Sequence, residues 1–392
     1  MLARWLSPED YGAFSLTFAI FLLVGSLHSA IFAEPLLVFG SGKYKERLSE
    51  YMGALVYGHL AFAALGSLVL LLTSAGFALA GLTSLSTVML ALAVAEPFIL
   101  LLWLMRRACY ARFEPHLAAS GGAWYMVIML AGAWVLYSRE WLSAASALGV
   151  MAISSLLVSL WLARRLRIKR PSLRAGDLAR DAFVDHWRYG RWSVGNQALN
   201  WVPMNIFYLT LPMWGGLVAG ASFKALMNLV MPMLQAVWAL SILLLPSLVW
   251  ARDEGRDRLN SRLGLALIPF VVGPALYWLL LGIFHQPLVS WLYGGQYTEH
   301  ASLLWILGLS PIAASVKQVF SQSLRALERP DWLFLAYTLS AVVALILGTG
   351  LVYLWGLAGA GMGLVICQVV TAVLALVSYR RLQRSSARGE VV

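Results

Sequence analysis

Two glutamates stand directly before prolines inside apolar sequence, Glu34-Pro35 in IFAEPLLVFG at 31–40 and Glu96-Pro97 in VAEPFILLLW at 94–103. A carboxyl group buried in such surroundings can take up a proton or hold a cation. On helices, Glu34 lies nine residues from Lys43 and Glu96 ten from Arg106, so both sit about 13–15 Å from a cationic end. His59, eight residues beyond Tyr51, falls near the same level. Glu34, His59 and Glu96 are therefore expected to form a protonatable, ion-coupling cluster for a proton or sodium ion. Two other roles stay open: each glutamate could pair with Lys317, or cap groups that its own proline frees.

A second set of residues could grip an anion or a sugar. Lys224, Asn228 and Gln235 are spaced i, i+4 and i+11, along one helical face. Asn196 and Asn200 make another i, i+4 pair, with Gln197 and Asn205 close by, and Lys317, Gln318 and Gln322 follow later. Ammonium and carboxamide groups donate hydrogen bonds suited to phosphate and hydroxyl oxygens. Lys224 is only seven residues from the end of its apolar run, so snorkelling to the interface competes with an inward position. Lys317 is eight residues from Arg325, about 12 Å along a helix, which favours an inward role. For the carboxamides, bonding between helices is the equal alternative.

These residues sit in an unusual chain. Hydrophobic residues make up 60% of it and charged residues 12%, with mean hydropathy +0.76, against about 25% charged in an ordinary soluble domain. Apolar runs of spanning length cover roughly 11–38, 51–74, 83–105, 117–138, 141–163, 190–214, 217–250, 263–284, 301–323, 332–354 and 357–379. They do not alternate polar with apolar as barrel strands would. The expected fold class is an all-α integral membrane protein with eleven visible transmembrane helices.

The net charge of +11 marks a membrane face rather than a nucleic-acid partner. If the spans alternate, 25 of the 29 Lys and Arg residues fall on one side and only Arg4 and Arg139 on the other. Short cytoplasmic loops carry this excess, so the C-terminus is expected in the cytoplasm. The organisation reads as an N-terminal lobe at 1–163, a basic cytoplasmic linker at 164–189, a C-terminal lobe at 190–379 and a cytoplasmic tail at 380–392. Five spans precede the linker and six follow, so equal halves would need one more helix. Met1 to Ser7 reads as the tail of a truncated first helix, the alternative being a true eleven-span chain.

Catalytic motifs are scarce. GSGKY at 40–44 lacks the upstream glycine and following Ser or Thr of a phosphate-binding loop. GAGMG at 359–363 lies in a span, where its glycines suit close helix contact better than a dinucleotide. Cys109 and Cys367 have no metal-ligand spacing, and the six histidines are scattered. Neither a cofactor nor a metal is expected. Nine of fourteen prolines fall inside spans, a pattern that suits a moving transporter, and enzyme readings lose ground to transport.

Several segments in order resemble the polysaccharide, or lipid-linked oligosaccharide, flippases of the MATE-like superfamily. LARWLSPEDYGAFSL at 2–16 is similar to that family's first interhelical segment, and WLYGGQYTEHASLLWIL at 291–307 to an outer loop with a Tyr-Gly turn. QSLRALERPDW at 322–332 and WGLAGAGMGLVICQVVTAVLALV at 355–377 resemble its late connection and last helix. SFKALMNLVMP at 222–232 resembles a segment in which arginine is common where Lys224 stands. The resemblance implies twelve helices in the full chain, as two pseudo-symmetric six-helix lobes around a central cavity. It further implies alternating access that carries a polyprenyl-pyrophosphate-linked oligosaccharide to the outer leaflet of a bacterial inner membrane, for surface polysaccharide synthesis. The implied partners are the lipid-linked substrate, membrane lipids, a glycan polymerase and a chain-length regulator. A multidrug or cation antiporter of the same superfamily and a non-transporting scaffold of a glycan-assembly complex are the alternatives.

Overall fold

A computed structural model describes residues 1–168 and 176–387. Positions 169–175 of the expected linker and 388–392 of the expected tail lie outside the described residues. Among those described, every regular element is helical. Nine continuous helices are long and apolar enough to cross a bilayer. Two of them, Ser193–Asp253 and Asp331–Gln383, are long enough to hold two spans each. Gly216 (φ 71°) and Gly356 (φ 53°) break them at left-handed backbone positions that glycine adopts without a Cβ penalty. Hydropathy placed boundaries between 214 and 217 and between 354 and 357, so the eleven expected spans are all present.

The chain divides into two compact units, Trp5–Ala198 and a second formed from Leu199 onward with Met1–Arg4. In the first unit the third span, Thr83–Ala111, is the centre, packed against the second span, Lys45–Leu79, and the fifth, Ala144–Arg165. It buries Met89, Leu92, Leu100, Leu104 and Met105 almost completely. In the second unit the ninth span, Thr298–Ala326, packs on the eighth, Arg256–Ile283, and on the eleventh, at 357–383. Val319, Phe320 and Leu324 meet Leu259, Leu263 and Phe270 there, with Leu333 and Tyr379. Gly359 lets the last span pass its predecessor: a Cβ there would collide with the Leu351 carbonyl.

The Glu-Pro pairs shape the first unit through what proline removes. A helical proline cannot donate to the carbonyl four residues back, and an unsatisfied carbonyl in hydrocarbon is costly. Pro97 leaves the Ala93 carbonyl without its helical donor, and Ser67 Oγ on the second span donates to it at 2.7 Å. Pro35 does the same to Ile31. His186 Nδ1 donates to the Ile31 carbonyl at 2.7 Å, just where the first span, Pro8–Ser41, widens into a π-turn at Ser29–Ala33. Prolines in two helices are thus answered by side chains from two others.

His186 belongs to a helix that starts at Gly176 and continues into the sixth span. Its stripe of Leu178, Ala182, His186 and Gly190, spaced by four, is buried against the first and second spans. Gly190 is needed for close approach, because a Cβ would lie 3.0 Å from the Ala30 oxygen. Since Nδ1 carries the proton, the neutral ring accepts at Nε2 from the Tyr51 hydroxyl. Burial lowers the pKa of His186, against the opposing pull of the Ile31 carbonyl and Asp185, in keeping with a neutral ring. Next to it, Asp185 accepts from Lys43 Nζ and Tyr44 Oη, both at 2.7 Å. Burial pushes the Asp185 carboxyl up, but Lys43 and Tyr44 more than offset this and hold it below the usual range.

The proline account is tested by a double-mutant cycle. Ser67→Ala is expected to cost about 1–3 kcal/mol by orphaning the Ala93 carbonyl. In a Pro97→Ala background, where the backbone N–H of residue 97 is restored, the same change should cost little. Thermal or denaturant unfolding in detergent reads both, and equal costs in the two backgrounds would contradict the capping role.

Candidate functional site

The structure distributes the three expected coupling residues over two places. Glu34 opens the helix after the π-turn and is half-buried. It accepts hydrogen bonds from Ser193 Oγ and from Gln197 Nε2, the latter at 2.8 Å. Both donors come from the helix that His186 anchors. Glu96 is fully buried at 0% exposure, facing Gly66 of the second span, whose added Cβ would sit 3.1 Å from Oε1. Neither of its carboxyl oxygens has a well-aligned partner among the described residues. The adjacent Ser67 hydroxyl is within reach of the carboxyl and donates to the Ala93 carbonyl at 2.7 Å.

His59 joins Glu96 but not Glu34. It is 1% exposed and bonds to the backbone of Pro97, the residue after Glu96. Proline has only a carbonyl to offer, so His59 donates there. Its Nδ1 faces His28 Nε2 at 3.1 Å. With one proton of the neutral His59 ring spent on Pro97, His28 supplies the proton of this bond and keeps an unprotonated Nδ1, which has no partner among the described residues. His28 is fully buried, tilted against Phe32 and edge-on to Phe62 and His59. The arrangement is a relay of His28, His59 and the Pro97 carbonyl, beside a carboxyl with open valences.

His28, Ser193 and His186 are absent from the sequence-based set. His28 sits thirty-one residues from His59, and only its place on the first span next to the π-turn brings the rings together. Ser193 and Gln197 gain meaning only once the helix from Gly176 is docked. No group of three or more His, Cys, Asp or Glu side chains suited to a metal ion occurs among the described residues.

In the second unit, Lys224 is half-buried with its ammonium 5.3 Å from the centre of the Tyr208 ring, a cation–π geometry. Asn228, one turn on, is exposed and bonded to the Tyr293 hydroxyl, which itself donates to the Ala225 carbonyl at 2.8 Å. Gln235 is exposed and Asn200 half-buried, while Asn196 is exposed on the first unit's side of the division.

The ninth span is the most polar of the set. Lys317 and Gln318 are half-buried, and Lys317 has no hydrogen bond or ion pair among the described residues. Gln322 is 6% exposed with its carbonyl oxygen unpartnered, as are the buried hydroxyls of Ser310, Ser315 and Ser321. Ser310, Lys317 and Ser321 share one face by their i, i+7 and i+11 spacing. An ammonium within hydrocarbon costs about 2.5–3.5 kcal/mol on insertion scales. With no carboxylate to offset that cost, the group is poised for water or an anionic ligand.

The two glutamates should separate in stability measurements. Glu34→Ala is expected to lose about 1–3 kcal/mol by stranding Ser193 and Gln197, whereas Glu96→Gln keeps the shape and an acceptor oxygen and should cost clearly less than Glu34→Ala. Thermal unfolding in detergent distinguishes them; equal losses would refute the assignment of their environments.

No family model matches the chain. A 127-residue stretch, 32% of the chain, is 27% identical to a probable low-salt glycan biosynthesis flippase, Agl15, of Haloferax volcanii. The match spans about a quarter of that protein's length, 26%. Solved structures align over almost the entire chain. A multidrug resistance MATE family transporter of the MOP superfamily, in an inward-facing conformation, has a TM-score of 0.85 at 16% identity, covering 98% of this chain and 93% of its own. The lipid II flippase MurJ, in an inward closed conformation, has a TM-score of 0.77 at 14% identity, covering 97% and 83%. The chain is a multi-pass helical membrane protein with the fold that the MATE transporters of the MOP superfamily share with the MurJ flippase.

Proposed function

We infer that the protein moves a polyprenyl-pyrophosphate-linked oligosaccharide from the cytoplasmic to the outer leaflet of a bacterial inner membrane, by alternating access. The observation that carries the reading is Lys317, an ammonium without a pairing group among the described residues, about 12 Å along the helix from Arg325, in a span where the Gln322 carbonyl oxygen and the Ser310, Ser315 and Ser321 hydroxyls also lack partners among those residues. Pyrophosphate is the part of such a substrate that needs a buried cation, and sugar hydroxyls suit Gln318, Gln322 and the serines. Lys224, Asn228, Gln235, Asn196 and Asn200 are proposed to add contacts. The MurJ likeness and the partial match to a glycan biosynthesis flippase support a lipid-linked substrate.

Coupling is proposed to reside in the first unit. Glu96 and the His28–His59 pair can exchange a proton or hold a small cation, and Glu34 transmits strain at the π-turn to the helix carrying Ser193. The excess of positive loops on one side supports a cytoplasmic C-terminus. A second reading, export of organic cations, draws on the higher TM-score to a multidrug transporter. It would leave Lys317 dispensable, because an ammonium repels such cargo.

Complementation of a strain that lacks its oligosaccharide flippase tests the reading, with surface glycan as readout. Lys317→Ala is expected to reduce it about 10- to 100-fold, the loss of one charge-assisted hydrogen bond to the substrate. Glu96→Gln is expected to reduce it while the protein remains folded. Full surface glycan from both variants would sink the site assignment, and failure of the deletion strain to accumulate lipid-linked intermediates would sink the function.

A further inference from the structure

The first unit holds a cavity of about 550 Å³ that the transport reading does not use. One wall is the outward flank of the second span, including Tyr57, Ala61 and Leu65, and another is the helix from Gly176, with Phe183 and Trp187. Ile31 and Phe32 of the π-turn close the back. The lining is apolar apart from the Tyr57 hydroxyl, the Trp187 indole nitrogen and His186, whose two ring nitrogens are already committed to Ile31 and Tyr51.

We propose that this groove binds one acyl chain of an anionic phospholipid from the cytoplasmic leaflet, with the headgroup held by Arg180 and Arg188. The groove borders membrane-facing surface, since Tyr57, Leu60, Leu65 and Leu68 are each more than half exposed. Only helices or lipid chains can fill such a place within hydrocarbon. A spanning helix about 10 Å across and 30 Å long occupies on the order of 2,000 Å³, more than the roughly 1,220 Å³ of empty space in the groove. Bilayer chains are as apolar as the lining, so selectivity has to come from the headgroup.

Charge at the wall favours an anion. Arg180 and Arg188 are exposed on the same helix as Phe183 and Trp187. Asp185 is neutralised by Lys43 at 2.7 Å, which leaves Asp181 as the acid exposed between the two arginines. The side that carries them is also the side rich in Lys and Arg loops, where anionic lipids concentrate. A bound lipid would brace the helix that caps Ile31 and supports Glu34, and so act on the π-turn. The proposed anion-gripping lysines of the transport reading lie in the other unit, so the lipid site stands or falls without them.

Native mass spectrometry of the full chain, exchanged into bilayer discs of phosphatidylglycerol or phosphatidylcholine, tests the proposal. The wild type should retain one phosphatidylglycerol in preference to phosphatidylcholine by about fivefold or more. Ala61→Trp and Ala179→Trp, both at exposed positions lining the groove, should lose the retained lipid while surviving gel filtration as single species. Arg180→Gln with Arg188→Gln, exposed changes that leave the core intact, should retain lipid with the preference abolished. Equal retention of the two lipids by the wild type, unchanged retention in a folded tryptophan variant, or an undiminished preference without the arginines would each overturn it. Retention of a polyprenyl phosphate in place of phospholipid would overturn it too.

Discussion

A backbone carbonyl freed inside hydrocarbon must find a donor, and in this protein that requirement organises the first unit. Pro35 and Pro97 each strip a helix of one donor, and each loss is met from another helix, by His186 at Ile31 and by Ser67 at Ala93. The helix from Gly176 is held by this demand. Its His186 reaches the π-turn, its Gly190 lies against the Ala30 backbone, and its Asp185 ties down Lys43 and Tyr44. Once docked, it delivers Ser193 and Gln197 to Glu34. The carboxylate beside the first proline is thereby fully occupied, while the one beside the second is left open. The repeated Ala-Glu-Pro therefore encodes two unlike environments.

That asymmetry matters for coupling. A carboxyl bonded to two donors is a structural acceptor, and disturbing it disturbs a helix junction. A buried carboxyl without aligned partners among the described residues, next to the His28–His59 pair, is instead the group we propose to gain and lose a small cation without breaking the fold. The second unit has the complementary character. Lys224 lies over the face of Tyr208, whereas Lys317 has no pairing group among the described residues and shares its span with the Gln322 carbonyl oxygen and serine hydroxyls that lack partners there.

Hydropathy was sufficient for the spans, because burying a helix in lipid is a sum over some twenty residues that no single contact overturns. It even located the breaks at Gly216 and Gly356. The partners of single polar residues were not legible in the same way. Helical depth put Glu34, His59 and Glu96 at one level, but level says nothing about which face each presents, and Glu34 turned to a helix about 160 positions later in the chain. Residues 176–189 read as linker because they continue a charged, non-apolar stretch whose basic residues concentrate at 164–174; their docking rests on a four-residue stripe of which one member is a histidine and another a glycine. The positions of the ninth-span residues were legible, but their lack of partners is a property of the packed chain alone.

The proposed function is movement of a lipid-linked anion, with Lys317 proposed to recognise it. Its most direct test is reconstitution into vesicles with a lipid-linked oligosaccharide bearing a fluorescent glycan, with exposure to an external quencher followed over time. The account predicts protein-dependent movement of the glycan across the bilayer, competed by soluble pyrophosphate-linked headgroup and absent with an uncharged lipid-linked sugar. Movement of organic cations with no movement of the lipid-linked oligosaccharide would contradict it.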